Sequence, residues 1–443
     1  MKNKVHTVPI RFVLPVIIET IITVATGLVF SQIVSTVSES ALAATGLGDN
    51  IMNFLVGVCA LVSTGSAVII SQQIGAGLFK DAAQTAERAT GLTILISGGF
   101  VLVMELISHP FMKLLMGDAE PAFFMEALRY YQLMLLSVPM QILLTVFTGI
   151  LRGMGDSRSP MIAMIVRNAA QLFFAWLLVH VFRLEMIGAA LAHVLCRTIG
   201  ALLAWWSLKY NPRHILIRFR NMFRLKTNRE MTGRILRIGM PSSFSNAAVQ
   251  FGYVLVNSLA VSLGSFECSI YQLLTTLCTI VSFPQTIATA IALPVTGNLI
   301  GAKEPKKAKM TGLRILLIGL AVTLLLVAIV WLGGERILGL YSSSEEMIQK
   351  THSLIWLILV LQIPAMGLNT IGPQLEGGGD TKMVMAYNLI SVWFFRIPLS
   401  YLFCNYFHWG VIGLFMANSI NLYVRWAMVM IRWAGKRWYA NHV

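Results

Sequence analysis

Within the 443 residues, the side chains best placed to do chemistry are the few polar or ionisable ones that interrupt long apolar runs. Glu19, Thr23, Thr26 and Phe30 recur at i, i+4, i+7 and i+11 and so share one face of a helix. A carboxylate in such a setting titrates higher when desolvated and lower beside a cation, which suits a group that binds and releases a proton or a metal ion. The other reading of Glu19 is structural: a carboxylate paired with an arginine or a helix hydroxyl. Asn246, Gln250, Tyr253 and Asn257 repeat the spacing in the second half of the chain. Lipid cannot satisfy these groups, so they either line a wet cavity or bond to neighbouring helices. Arg396 and Arg167 carry the same pair of readings, as cavity cations or as internal partners of carbonyls and carboxylates.

The sequence offers little to an enzyme. No span holds a His-Glu-x-x-His zinc motif, a Gly-x-Ser-x-Gly elbow or clustered carboxylates. The paired loops Leu151–Asp156 and Leu375–Asp380 are glycine-rich, yet no Lys-Ser/Thr follows them and no strand precedes them, which removes a nucleotide site. Asp156 and Asp380 are expected to cap the helices that follow, accepting free backbone N–H groups. The five cysteines all fall in apolar segments without metal or disulfide spacing and read as small buried hydrophobes.

The elements that position these residues follow from composition. Hydrophobic residues make up 56% of the chain and charged residues only 12%, about half the usual share in soluble domains. Uncharged runs of the length needed to cross a bilayer recur along the chain. They place helices near 11–36, 48–72, 90–115, 126–150, 160–183 and 186–210, then 237–262, 268–298, 312–333, 350–374, 382–406 and 408–434. The first is too long for a signal-peptide core and is expected to stay in the mature protein. Lys113, Arg129, Arg183, Arg336 and Lys350 are the only basic residues on one set of loops, while the other set and both ends are strongly basic. Positive charge collects on the cytoplasmic side, so both termini are expected there, in a multi-pass protein of the plasma or inner membrane. The net charge of +15 is thereby accounted for by anionic lipid, and no nucleic-acid partner is expected.

The two sets of six helices are related by a duplication with an offset near 225 residues. Pro15 matches Pro241, Ile74-Gly75-Ala76 matches Ile300-Gly301-Ala302, Pro139 matches Pro364, and Ile187-Gly188 matches Ile412-Gly413. Six is an even number, so both halves enter the membrane in the same direction, as parallel repeats. The expected architecture is all-α and integral to the membrane: an N-terminal lobe over 1–210, a basic cytoplasmic linker over 211–236 and a C-terminal lobe over 237–443. The stripes on helices one and seven are expected to line opposing walls of a central cavity.

These residues resemble the multidrug and toxic compound extrusion (MATE) transporters over almost the whole chain. The matching pieces are Gly65-Ser66 through Ser71-Gln-Gln-Ile-Gly-Ala-Gly77, the loop Leu151–Pro160, its partner Glu376–Asp380, and Phe395-Arg-Ile-Pro-Leu399. The resemblance implies a V-shaped, two-lobed antiporter that exports amphipathic cationic or aromatic small molecules in exchange for sodium ions or protons. It implies no cofactor beyond that transient ion, and a monomer is expected. Two departures bear on coupling: Phe30 stands where members carry an Asp on the first helix, and Ala175 where many carry one on the fifth. The alternative function is a flippase for a lipid-linked saccharide, which the missing carboxylates and the presence of Arg167 and Arg396 keep open.

Overall fold

A computed structural model of the protein describes residues 10–35, 52, 55–57, 61–116, 121–210, 229–339 and 344–439. They form helices joined by short turns. In the first half these are α1 (Ile10–Ser35), α2 (Leu61–Gly75), α3 (Phe79–Leu106), α4 (Ser108–Met116), α5 (Pro121–Leu135), α6 (Val138–Gly153), α7 (Arg158–Trp176) and α8 (Glu185–Lys209). The second half holds α9 (Arg229–Ser262), α10 (Ser265–Val281), α11 (Phe283–Gly301), α12 (Pro305–Leu338), α13 (Glu345–Ser353), α14 (Trp356–Gly377), α15 (Thr381–Ile390), α16 (Ile397–Tyr401) and α17 (Gly410–Ala434).

Among the described residues eight helices are long and apolar enough to cross a membrane, and ten if each of two bent pairs crosses as one. The bent pairs, α5 with α6 at 43° and α10 with α11 at 48°, correspond to the fourth and eighth expected spans. Each break is followed by a proline, Pro139 or Pro284, at the start of the second helix, where its missing N–H costs nothing. Of the remaining two expected spans, the second lies partly outside the described residues. The seventh is α9, whose Arg, Ser and Asn content lowers its hydropathy.

The chain divides into two compact units, Val8–Ser243 and Phe244–Val443. The division falls inside α9. That helix begins at Arg229, within the stretch read from sequence as linker, because Glu230 pairs with Arg234 one turn on and no proline intervenes before Pro241. Residues 211–228 lie outside the described residues. In the first unit the start of α9 crosses α2 at close range: a Cβ on Gly239 would lie 1.7 Å from the Leu61 carbonyl oxygen, and one on Gly65 2.2 Å from that of Ile235. Only glycine lets the two backbones meet in this way.

The duplication extends to irregular geometry. A π-helical stretch, Leu177–Val181, follows α7, and another, Leu402–Tyr406, follows α16 at the same repeat offset. The glycines of the paired loops, Gly155 and Gly379, both take positive φ (77° and 89°), a conformation that other residues adopt only under strain. The second half contains one further π-helical stretch, Ser391–Arg396, where the first half runs as regular α-helix. A π turn holds one more residue than an α turn. Accordingly the repeat offset grows by one residue between the Asp156/Asp380 pair and the Ile187/Ile412 pair.

Candidate functional site

In the first unit, the stripe on α1 is turned inward. Glu19 is only 9% exposed, and Arg152 Nη2, in the last turn of α6, donates to both of its carboxylate oxygens at 2.6 and 2.8 Å. The Thr23 hydroxyl donates to the Glu19 carbonyl at 2.8 Å and accepts from Asn168 Nδ2 of α7 at 3.0 Å. Thr26 is buried, and Phe30 is buried with its ring edge-on to His193 of α8, centroids 4.6 Å apart. Glu19, Thr23 and Phe30 thus make their contacts with α6, α7 and α8 of their own unit. For Glu19 the reason is electrostatic. A carboxylate in this interior costs several kcal/mol unless it is paired, and Arg152 supplies the pair.

The stripe on α9 behaves differently. Asn246 and Gln250 are exposed and do not line the cavity found in this unit, whereas Tyr253 and Asn257 do. The two stripes are also out of register. With Pro15 aligned to Pro241, Glu19, Thr23, Thr26 and Phe30 fall on Ser245, Val249, Gly252 and Val256. Those residues form the inward face: Ser245 and Val256 are buried, and a Cβ on Gly252 would press on Val392 at 2.5 Å. The polar stripe sits one residue, about 100°, further round the helix.

The cavity, about 410 Å³, lies within the unit 244–443 and is lined from α9, α10, α11, α14, α17 and the π stretch. The size suits a small organic ligand. Arg396 closes the π stretch; it is 3% exposed, with its guanidinium carbon 3.8 Å from the centroid of the Tyr253 ring. A cation–π contact of this kind stabilises by about 0.5–2 kcal/mol. Arg425 reaches the same space from α17, and no Asp or Glu lines it. None of the ion pairs among the described residues involves either arginine, and the Nε atoms of both, like Asn421 Oδ1, have no hydrogen-bond partner there.

The opposite wall is an amide chain. Gln285 of α11 donates to Gln362 of α14, Asn369 Nδ2 donates to Gln285 Oε1 at 3.1 Å, and Gln362 Nε2 reaches the Cys278 carbonyl at 3.3 Å. Tyr271 and Phe415, edge-on at 5.7 Å, add an aromatic surface.

Of the site residues expected from sequence, this cavity gathers Tyr253, Asn257 and Arg396. Arg425, Gln285, Gln362 and Tyr271 were missed. Arg425 carries the same sign as Arg396, an arginine inside an apolar run, and could have been found on that ground. Gln285 and Gln362 were hidden by neighbours that fit a packed helix equally well. Arg152 was missed because it reads as a loop residue, although it ends a helix. The loop aspartates also differ. Asp156 caps α7 as expected, accepting from the Arg158 and Ser159 N–H groups at 3.0 and 3.1 Å, but Asp380 makes no cap bond and instead accepts from Arg432 Nε at 2.6 Å.

Two duplicated helical units, apolar outside and with buried polar groups within, define an integral membrane transporter. The MatE family model matches residues 15–177 and 241–402, once on each repeat, and the chain belongs to that family. It is 25% identical to the uncharacterized transporter YisQ of Bacillus subtilis (strain 168) over 96% of its own length and 93% of the relative's. It is 22% identical to the probable multidrug resistance protein NorM of Thermotoga maritima, over 97% and 92%. Among solved structures, it resembles an outward-facing multidrug resistance MATE family transporter with a TM-score of 0.87 at 20% identity, covering 96% of this chain and 95% of that one. A MOP superfamily transporter from Pyrococcus furiosus gives 0.86 at the same identity and coverage.

Proposed function

We propose that the protein is a secondary-active exporter of amphipathic small molecules that works by alternating access in exchange for sodium ions or protons. The observation that carries this reading is the polar cavity of about 410 Å³ enclosed by apolar helices in the unit 244–443. A scaffold would not keep two unpaired arginines in such a place. The names of the relatives, a multidrug resistance protein and the multidrug export protein MepA of Staphylococcus aureus, support export as the direction. Of the two cargo features expected from sequence, aromatic character is favoured by Tyr253, Tyr271 and Phe415, and positive charge is disfavoured by Arg396 and Arg425. The basic loops support cytoplasmic termini in a cell membrane.

The test is accumulation of fluorescent aromatic compounds in everted vesicles, with sodium and proton gradients imposed separately. Accumulation that collapses when the matching gradient is dissipated is the expected result; none under either gradient overturns the reading. A flippase for a lipid-linked saccharide is the second reading, favoured by the same two arginines. It expects scrambling of a fluorescent phospho-lipid saccharide in proteoliposomes and no accumulation of soluble compounds.

A further inference from the structure

Arg396 and Arg425 face one cavity, and no carboxylate lines it. The helices that wall it contribute Asn, Gln, Ser, Thr and Tyr groups but no carboxylate. Glu376, at the end of α14, is close enough for its charge to act on Arg425, yet it does not line the space. Tyr253 covers one face of the Arg396 guanidinium. A π face holds a cation without neutralising it, and apart from a side-chain hydrogen bond with Tyr253 the guanidinium edge is left to other partners. The Nε of each arginine has no hydrogen-bond partner among the described residues. Two planar donor groups without an ion-pair partner among the described residues are suited to an oxyanion, which a guanidinium binds through parallel, charge-assisted hydrogen bonds.

The duplication shows that this is a feature of the second half. The repeat register places Gly200 where Arg425 stands, Gln171 where Arg396 stands and Gly27 where Tyr253 stands. At Gly200 the space is taken by the stem of Arg167, whose Cγ would lie 3.0 Å from an added Cβ. The extra residue of the π stretch Ser391–Arg396 is likewise confined to the second half and ends on the arginine. Arg396, Arg425, Tyr253 and the extra π residue thus have no counterparts at the matching positions of the first repeat, whose own interior arginine, Arg167, stands elsewhere.

We infer that the cavity in the unit 244–443 is a binding site for an organic anion: a carboxylate, sulfonate or phosphate head seated on Arg396 and Arg425, with a compact aromatic or apolar body against Tyr271 and Phe415. One anion binds per chain. The site rests on the transport reading only in being called a cargo site. The same head chemistry occurs in soluble amphipathic anions and in anionic lipid headgroups.

The probe pair is dansylglycine and its neutral amide, which share a fluorophore and differ in the carboxylate. Binding is measured to the full chain in phosphatidylcholine nanodiscs, with empty nanodiscs subtracted. The expected result is one site per chain with at least tenfold tighter binding of the acid. The preference should fall below twofold in Arg425→Gln and in Arg396→Gln and persist in Arg425→Lys and in the surface variant Arg234→Gln. Equal binding of acid and amide by the unmodified protein overturns the proposal, and this needs no variant to fold. So does an undiminished preference in a monodisperse Arg425→Gln.

Repeating the titration with phosphatidylglycerol in the disc separates the two sources. Displacement seen in the unmodified protein and absent in Arg425→Gln assigns the site to a lipid headgroup, and unchanged binding assigns it to soluble anions. Charge-blind binding alongside gradient-driven accumulation in vesicles would remove the anion site and leave the exporter standing, whereas selective anion binding without accumulation would do the reverse.

Discussion

The loops Leu151–Asp156 and Leu375–Asp380 share their turn and their positive-φ glycine, yet the residue after the first leucine is Arg152 in one and Glu376 in the other. In the first unit that arginine neutralises Glu19. In the second, the position matching Glu19 is Ser245, which accepts a hydrogen bond from Asn388 at 2.6 Å, and the cavity holds Arg396 and Arg425 without a carboxylate. Duplication preserved the backbone while the buried charge diverged: one interior closed around an ion pair, and the other opened around unpaired cations. Backbone geometry is set by glycine, proline and close packing, which both copies need; interior charge is set by what each copy must hold.

The largest effect expected from this contrast is at Arg152. Removing one partner of a buried pair strands the other, at a cost of about 3–5 kcal/mol. Arg152→Leu should therefore lower the thermal midpoint in detergent sharply. Glu19→Gln combined with Arg152→Gln should recover most of the loss, because no charge is left unpaired. Transport by the stable double variant should keep its gradient dependence. If it transports without responding to either gradient, Glu19 is the coupling residue after all, and the pair is part of the exchange cycle.

Asp380 and Arg432 offer the next effect. Asp380→Ala removes a charge-assisted bond made at 2.6 Å by a nearly buried carboxylate, worth about 1.5–3 kcal/mol. Loss of stability in that range, measured by the same melts, is the expected outcome; a neutral result would show that Arg432 is satisfied elsewhere.

In the cavity the sign should reverse. A half-buried arginine without an ion-pair partner opposes folding, so Arg425→Gln should leave stability unchanged or raise it by about 1 kcal/mol. A marked fall in the midpoint would mean that Arg425 holds the unit together, and the contrast between the two interiors would fail.

Much of the fold was legible because long apolar runs and a repeated register survive any detail of packing. The twelve expected spans have helical counterparts wherever the residues are described. Less of the site was legible. The spacing that put Glu19, Thr23, Thr26 and Phe30 on one face was sound, but periodicity does not say which way a face turns. Arg152, 133 residues from Glu19 in sequence, settles it. Asn246, Gln250, Tyr253 and Asn257 also share a face, yet only the later two reach the cavity, and at the level of Gln250 it is the neighbouring Val249 that lines it. The extra π turn that presents Arg396 could be read only as a one-residue change in the repeat offset, and a single residue in an apolar alignment is easily absorbed as a gap.

The smallest effect tests the loops themselves. Asp156 accepts from two backbone N–H groups and from the Ser159 hydroxyl at 2.6 Å, so its role is confined to the first turn of α7. Capping side chains contribute about 1 kcal/mol when replaced by alanine. Asp156→Ala should therefore cost less than Asp380→Ala, and Asp156→Asn less again, since the amide oxygen still accepts from the helix N–H groups. Asp380→Asn should behave unlike its repeat partner: the amide keeps the shape but gives up the charge that Arg432 needs, so most of the alanine loss should remain. Melts of the four variants side by side decide the matter. If both asparagine variants are equally mild, the two loops serve the same capping role and the divergence of charge stops at Arg152 and Glu376. If the Asp380 variant stays costly, the divergence extends through the loop to α17, the helix that carries Arg425 into the cavity.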